Sequence, residues 1–430
     1  MRRWRTNLIT ALRWGAYALI ATLATASPNT AIAEVAAPGA RSFSQAGLQH
    51  LGEYLHHEIA AGRIPGAILL IQQHGKPVYF EKFGLRDVVA RLPMTDDTIF
   101  RLYSMSKPIT SVAAMMLIDD GKLSLDDPVA KYIPAFADVK VGVEKSDQTG
   151  QSTFTLEPLK RPMTILDLLR QTSGLTYGFS GEGAVRKLYA QADLYSGDFD
   201  NASFVARLAR LPLAEQPGQT WDYGHSTDVL GRVIEVVSGR SLFQFEKERL
   251  LDPLGMTHTA FYVADEAKRR LVAQFMPDDP LGPIAGIKDP MERTSWESGG
   301  AGMVGTVGDY ARFVQMLLSG GALDGRRYLK RETVALMTSD HIGPGSGIVC
   351  TDQCFLGRHS GFGLGFAVLS SEAPNKPWPT GEYGWDGVAG TFFFADREDD
   401  LFAVCMMQTP SQRGRIESEL KTLIYGALGR

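Results

Sequence analysis

Apolar residues recur along the chain with two different periods, and the change of period marks its organisation. Leu48, Leu51, Leu55 and Ile59 lie at helical spacing and predict an amphipathic helix. AILLIQQ (67–73), His74-Gly75 and KPVYFEKFG (76–84) read as strand, turn and strand. Ile109, Val112, Ala113, Met116 and Leu117 predict one buried helix over about 104–120, stopped by Gly121. Residues 140–162 show no such period and read as a polar loop. From about 163 to 340 the period is mostly helical, in TILDLLRQ, FVARLARL, TDVLGRVIEVV, DYARFVQMLL and RETVALM. Strand character returns in FGLGFAVLS (362–370), TFFFADR (391–397) and LFAVCMMQ (401–408), with REDD (397–400) as a hairpin turn. Ile416, Leu420, Leu423, Ile424 and Ala427 make a closing helix.

Strands at both ends therefore bracket a long helical middle. The simplest packing is an α+β domain. An antiparallel sheet, from about 44–100 and 345–430, is flanked by terminal helices, with a mainly helical lobe over about 104–340. Clefts between lobes commonly hold sites, and the helix at 104–120 is where the chain passes from one lobe to the other.

One apolar stretch stands outside this scheme. MRRWRTNLITALR is basic without an acid, WGAYALIATLATA is a short apolar run, and Ala31-Ile32-Ala33 is a small-residue cleavage site. Residues 1–33 read as a secretory signal peptide, leaving 34–430 as one domain, exported to the periplasm or secreted. Cleavage takes away four arginines and no acid, so 40 basic face 48 acidic side chains, a net of −8. No further run suggests a membrane span, and no basic cluster suggests nucleic acid. Of the three cysteines, Cys350 and Cys354 flank a short gap and could close a small disulfide in an oxidising compartment. A zinc reading of that pair with His341 and His359 has no usual spacing. Cys405, in LFAVCMMQ, reads as an inert buried strand residue.

The stretch RLYSMSKPITSVAAMMLIDDG (101–121) raises a chemical question, because Ser104 and Lys107 stand together where a core helix begins. A serine hydroxyl needs a base to become a nucleophile. Lys107 serves only when neutral, and bringing its pKa from about 10.4 to near 7 takes roughly 4–5 kcal/mol. Burial and the positive end of a helix both favour the neutral amine. The Ser104 backbone N–H at that terminus can also donate to an oxyanion. Spacing alone does not decide the matter, since Ser418 and Lys421 repeat it on what reads as the solvated face of the closing helix. Two further stretches offer partners. Tyr223-Gly224-His225 precedes a helix, so both side chains could project into the cleft. Trp385-Asp386-Gly387-Val388 runs into a strand, where glycine permits close backbone approach and the next N–H can face a substrate.

In this order these stretches resemble the serine β-lactamase and penicillin-binding-protein superfamily on its class C-like side, most closely the family VIII carboxylesterases. SMSK (104–107), LLRQTSGLTYGF (168–179), YGHSTDVLGRVIEVVSG (223–239), DPLGMTHTAFYV (252–263), SGGAGMVGTVGDYARF (298–313) and WDGVAGTFFF (385–394) carry the resemblance. It implies a β-lactamase/transpeptidase-like fold and an acyl-enzyme mechanism with Ser104 as nucleophile. Lys107 and Tyr223 would share base and acid work, and the N–H groups of Ser104 and Val388 would form the oxyanion hole. It implies no metal or organic cofactor. Gly-x-Ser-x-Gly, the elbow of the rival α/β-hydrolases, is absent.

The departures bear on substrate. No Tyr-x-Asn and no Lys-Thr-Gly exists in the chain; His225 and Trp385-Asp386-Gly387 stand in those places, and Gln171 replaces a common histidine. Trp385 removes a cation and Asp386 adds negative charge, which tilts the pocket of His225, Trp385, Asp386 and Gly387 toward neutral esters. The expectation is a hydrolase of small or short-chain carboxylic esters. Alternatives are a β-lactamase or peptidoglycan amidase, an acyltransferase, and a non-catalytic cell-wall-binding protein.

Overall fold

Strands from both ends of the chain meet in one eight-stranded antiparallel sheet. The computed structural model describes residues 41–146, 152–284, 286–287, 289–350, 356, 359–372 and 377–429. The signal-peptide reading of residues 1–33 lies outside the described residues. Numbering only the strands of the main sheet, these are β1 (Gly66–Gln73), β2 (Lys76–Asp87), β3 (Leu92–Pro93), β4 (Ser360–Phe362), β5 (Ala367–Leu369), β6 (Tyr383–Gly387), β7 (Thr391–Asp396) and β8 (Leu401–Met406). Their spatial order is β4-β5-β6-β7-β8-β1-β2-β3. The joint between the two ends is β1 against β8, with Leu69 opposite Cys405 and Leu70 opposite Val404.

Alternation along the central strands sorts side chains to two faces. Leu69, Ile71, Phe392, Phe394, Ala403 and Cys405 pack with Leu51 and Leu55 of α1 (Gln45–Ala60) and with Leu420 and Ile424 of the C-terminal helix (Arg413–Ala427). Ile68, Phe393, Val404 and Met406 join the larger core that continues into the helical region. Every residue of β7 and β8 is buried, which is why TFFFAD and LFAVCM are nearly continuous apolar runs. Each such side chain contributes about 1.5–3 kcal/mol by burial. Ser44 caps α1 by accepting from the Gly47 N–H at 3.1 Å.

Helix α2 (Ser106–Asp119) is buried from Ser106 to Leu117, on all sides. A helix covered all round is a core element, so any polar residue on it is enclosed. It packs with α3 (Ser226–Ser238) in the helical region.

Three readings of the sequence change. Residues 140–162 contain a β-hairpin, Lys140–Ser146 against Ser152–Pro158. Its apolar positions, Val141, Val143, Phe154 and Leu156, alternate with polar ones, and Leu156 is exposed, so the pattern is too weak to stand out. The helix expected from 104 starts at Ser106, after a single 3₁₀ turn over Tyr103–Met105. Lys421, expected on a solvated face, is 13% exposed, ion-paired with Glu382 and 4.2 Å from the Trp378 ring centroid. The sheet edge around Trp378 and Glu382 covers that side of the closing helix, which periodicity within the helix does not reveal.

Cys350 is disulfide-bonded, and Cys354, its suggested partner, lies outside the described residues. Cys405 is free and buried. Among the described residues no helix is long and apolar enough to cross a membrane.

Candidate active site

The serine stands on a constrained turn. Tyr103, just before it, has φ 46°, a left-handed conformation that costs a non-glycine residue about 1–3 kcal/mol. The neighbours that hold this turn are specific. The Tyr310 hydroxyl donates to the Met105 carbonyl at 3.0 Å, and the Ser106 hydroxyl accepts from the Met303 N–H at 3.0 Å. Thr391 at the start of β7 donates to the Leu102 carbonyl at 3.3 Å.

In the first turn of α2, Lys107 is 1% exposed. Its Nζ lies 2.8 Å from the Gly300 carbonyl, 3.2 Å from the Tyr177 hydroxyl and 3.4 Å from Ser104 Oγ. It also stands 4.5 Å from the centroid of the Tyr223 ring. Burial pushes the amine down from its ordinary value to about 7, against the opposing pull of Asp228 and Asp386.

Tyr223 arrives on the loop before α3. Gln171 holds that loop: its carbonyl accepts from Asp222 N–H at 2.9 Å, its side-chain oxygen from Gly224 N–H at 3.3 Å, and its amide donates to Thr227 at 3.1 Å. Gly224 is required here, because a Cβ would sit 2.3 Å from the Leu175 carbonyl oxygen. This close approach brings the Tyr223 loop against the segment carrying Tyr177, and the two rings meet edge to face at 5.5 Å. Burial raises the Tyr223 phenol above its ordinary range, opposed by hydrogen bonds with the Ser104 and Trp385 side chains.

His225 behaves differently from its neighbour. It is 1% exposed and enclosed behind Tyr177 and Tyr195. Its Nε2 lies 3.2 Å from the Tyr195 hydroxyl and its Nδ1 3.0 Å from Asp228. The other Asp228 oxygen accepts from Ser298 Oγ at 2.6 Å and from the Gly300 N–H at 3.2 Å. Burial alone would raise the Asp228 carboxyl, but the bonds and charge of His225 and the bond of Ser298 hold it below its usual range. The carboxylate thus holds Gly300, the residue whose carbonyl receives the lysine.

At the end of β6, Gly387 permits the approach that the sequence suggested. A Cβ there would meet the Leu102 carbonyl oxygen and Thr391 Oγ1, each at 2.3 Å. Val388 is thereby set beside Ser104, and both line one cleft of about 700 Å³. Tyr103, Tyr177, Tyr195, Tyr223 and Ile284 contribute to its wall. Phe179 stands at its mouth, 79% exposed and stacked on Tyr177 at 4.8 Å. Trp385 and Asp386 line a neighbouring cavity of about 340 Å³ instead. Trp385 packs on Tyr223 at 5.5 Å and on Phe362 at 5.2 Å, and Asp386 faces Arg413 Nε at 3.1 Å.

The structure thus brings Ser104, Lys107, Tyr223 and Val388 together. It places His225, Trp385, Asp386 and Gly387 around them, off the cleft surface. Sequence reasoning passed over Tyr177, Asp228, Gly300 and Arg413. Tyr177 stood in the quoted LLRQTSGLTYGF without a role. Asp228, one helical turn after His225, was findable from that spacing. Gly300 likewise stood in the quoted SGGAGMVGTVGDYARF without a role, and nothing local to Arg413 signals a site, because it meets the other residues only through the fold.

The molecule can be placed among known proteins. The Beta-lactamase family profile matches residues 49–425. An uncharacterized protein of Mycobacterium tuberculosis is 37% identical over 362 residues, covering 81% of this chain and 86% of the relative. Esterase EstB of Burkholderia gladioli is 30% identical over 389 residues, covering 84% of this chain and 91% of the relative. The solved structure described as "EstCE1, a hydrolase with promiscuous acyltransferase activity" superposes with a TM-score of 0.73 at 28% identity, over 89% of this chain and 99% of that one. On the profile, the relatives and the fold alike, the chain belongs to the beta-lactamase family.

Proposed function

We propose that the chain is a serine hydrolase that cleaves small or short-chain carboxylic esters through an acyl-enzyme on Ser104. The observation that carries this reading is the convergence of Lys107 and Tyr223 on one hydroxyl at the wall of an apolar cleft. A neutral amine has two N–H groups and one lone pair. The Gly300 carbonyl and the Tyr177 oxygen take the two N–H groups, which leaves the lone pair for the Ser104 hydroxyl. The separation of 3.4 Å is long, as unliganded sites often are before substrate tightens them.

In the proposed sequence Ser104 Oγ bonds to the ester carbonyl carbon while its proton passes to Lys107. The resulting oxyanion accepts from the Ser104 and Val388 N–H groups. Collapse breaks the carbon–alkoxide bond, and the leaving oxygen takes a proton from Tyr223. Tyr223 regains a proton from the Lys107 ammonium; water then attacks the acyl carbon and gives a proton to the restored amine, and collapse breaks the acyl–Oγ bond as that proton returns to Ser104. Tyr177, Phe179 and Tyr195 supply an aromatic wall that suits a small apolar group. The names of EstB and EstCE1 support a hydrolase in general terms. Acyl transfer to an alcohol is the second reading, favoured by the EstCE1 description. An exported location is part of the proposal and rests on the pattern of residues 1–33.

A fluorophosphonate probe tests the nucleophile directly. The folded chain should gain one adduct, mapped by peptide mass to Ser104; an unlabelled Ser104 ends the reading. Asp228 tests the base. Its charge favours the protonated amine, so Asp228→Asn should lower the lysine pKa further. The acid limb of kcat/KM then moves to lower pH by roughly half a unit to one unit, the range of a single nearby charge. A limb that stays in place shows that Lys107 does not set it.

A further inference from the structure

The cleft holds one charged side chain that the hydrolase reading leaves unused. Arg413, the first residue of the C-terminal helix, lines the cleft together with Ser104 and Val388. Its Nε faces Asp386 Oδ2 at 3.1 Å, and Asp386 does not line the cleft but the cavity behind it. The carboxylate therefore backs the guanidinium from one side. Glu417, one turn further along the same helix, also feels the Arg413 charge, but no hydrogen bond from the terminal nitrogens of Arg413 occurs among the described residues, so the guanidinium keeps donors for a ligand.

The other charges at the cleft are committed. Lys107 is enclosed by Gly300, Tyr177 and Ser104. Asp222 is held by Arg186 at 2.9 and 3.0 Å and by Thr176 at 3.1 Å. Arginine carries five donors in a planar fork, so one edge can engage a protein carboxylate while the other takes a second. Arg413 is also near enough to influence Tyr223 electrostatically. A group bound to it would thus lie within reach of the reacting hydroxyl.

We infer that Arg413 forms an anion subsite beside Ser104 and that the favoured esters carry a carboxylate. This reverses the tilt toward neutral esters read from Trp385 and Asp386. The cation missing from the strand is supplied by the helix, and Asp386 orients it instead of opposing the substrate. The catalytic part rests on the hydrolase reading; the binding part does not.

Two ester pairs locate the charge. Mono-4-nitrophenyl glutarate against its methyl ester places the carboxylate on the acyl side, and 4-acetoxybenzoate against its methyl ester places it on the leaving group. The full chain should prefer the charged member of at least one pair. Arg413→Gln should lower the charged-to-neutral ratio of kcat/KM in that pair by about 10- to 100-fold, the scale of a charge-assisted bidentate contact. Arg413→Lys should restore part of it. The double variant Asp386→Asn/Arg413→Gln removes both charges and guards against a fold disturbed by an unpaired Asp386. No preference in either pair, or a ratio unchanged in both the single and the double variant, overturns the subsite. If none of the four esters turns over, the hydrolase reading falls, and binding alone decides the subsite. Calorimetry with monomethyl glutarate and with benzoate on Ser104→Ala protein should show salt-sensitive binding of one of them that disappears in Ser104→Ala/Arg413→Gln. Equal binding in the two proteins, or none, overturns it.

Discussion

Replacing Ser104 by alanine lowers turnover of p-nitrophenyl acetate and p-nitrophenyl butyrate by at least ~10³-fold, the scale for deleting a member of a catalytic unit. The size of the effect follows from where Ser104 stands. Its neighbours hold a positive-φ turn at Tyr103 and a backbone pressed onto Gly387. No other described hydroxyl shares both the Lys107 amine and the cleft wall except Tyr177 and Tyr223, whose phenols burial holds above their ordinary range. Water can enter an emptied position, but it lacks the covalent intermediate that divides one hard step into two. Steady-state rates of wild-type and variant protein, with far-UV circular dichroism to confirm folding, are the measurement. Retained turnover would move the chemistry elsewhere.

Lys107→Met should produce a loss of similar size together with an opposite change in stability. The folded amine titrates at about 7, well below its ordinary 10.5, because burial disfavours the charged form. Between these values the unfolded chain binds the proton more readily than the folded one. The stability of the wild type therefore rises with pH through that window and is lowest, and level, below about pH 7. A shift of this size is on the order of 4–5 kcal/mol, and the amine's bonds to Gly300 and Tyr177 offset part of it. Methionine fills similar volume and carries no such penalty. The melting temperature of the variant relative to wild type should thus increase as pH falls from about 10 to about 7 and then stay constant. A difference independent of pH would mean that the amine is not held neutral by the fold. The variant would then speak only for lost packing. Stability gained and activity lost in one substitution is the pattern expected when a site stores an unfavourable charge environment for use.

Much of this arrangement was legible in the residues. The two periods of the apolar pattern placed β1, β2, β7, β8 and the terminal helices, because each of these segments buries a defined face or both faces. The hairpin at 140–158 escaped notice because it sits near the surface and its alternation is diluted by exposed Leu156 and by polar neighbours. Lys421 misled for the reverse reason. Helical phase reports which way a side chain points, not what lies there, and here Trp378 and Glu382 cover it.

The site divides along the same line. Ser104 and Lys107 were legible as a pair at the head of a core helix, Tyr223 as a phenol before a helix, and Gly387-Val388 as a close approach before a donor N–H; spacing alone did not decide their roles, which the resemblance of the ordered motifs implied. The sequence determined by itself that a buried lysine would face a serine at the head of α2. Only the tertiary structure decided what surrounds that pair. Gly300 and Tyr177 receive the amine's hydrogens, Asp228 pins Gly300, His225 is turned inward, and Arg413 enters the cleft from the last helix. Apart from His225 with Asp228, these contacts join residues tens to hundreds of positions apart. Their existence depends on how helices and sheet pack, and no period or motif along the chain encodes a distance across that packing.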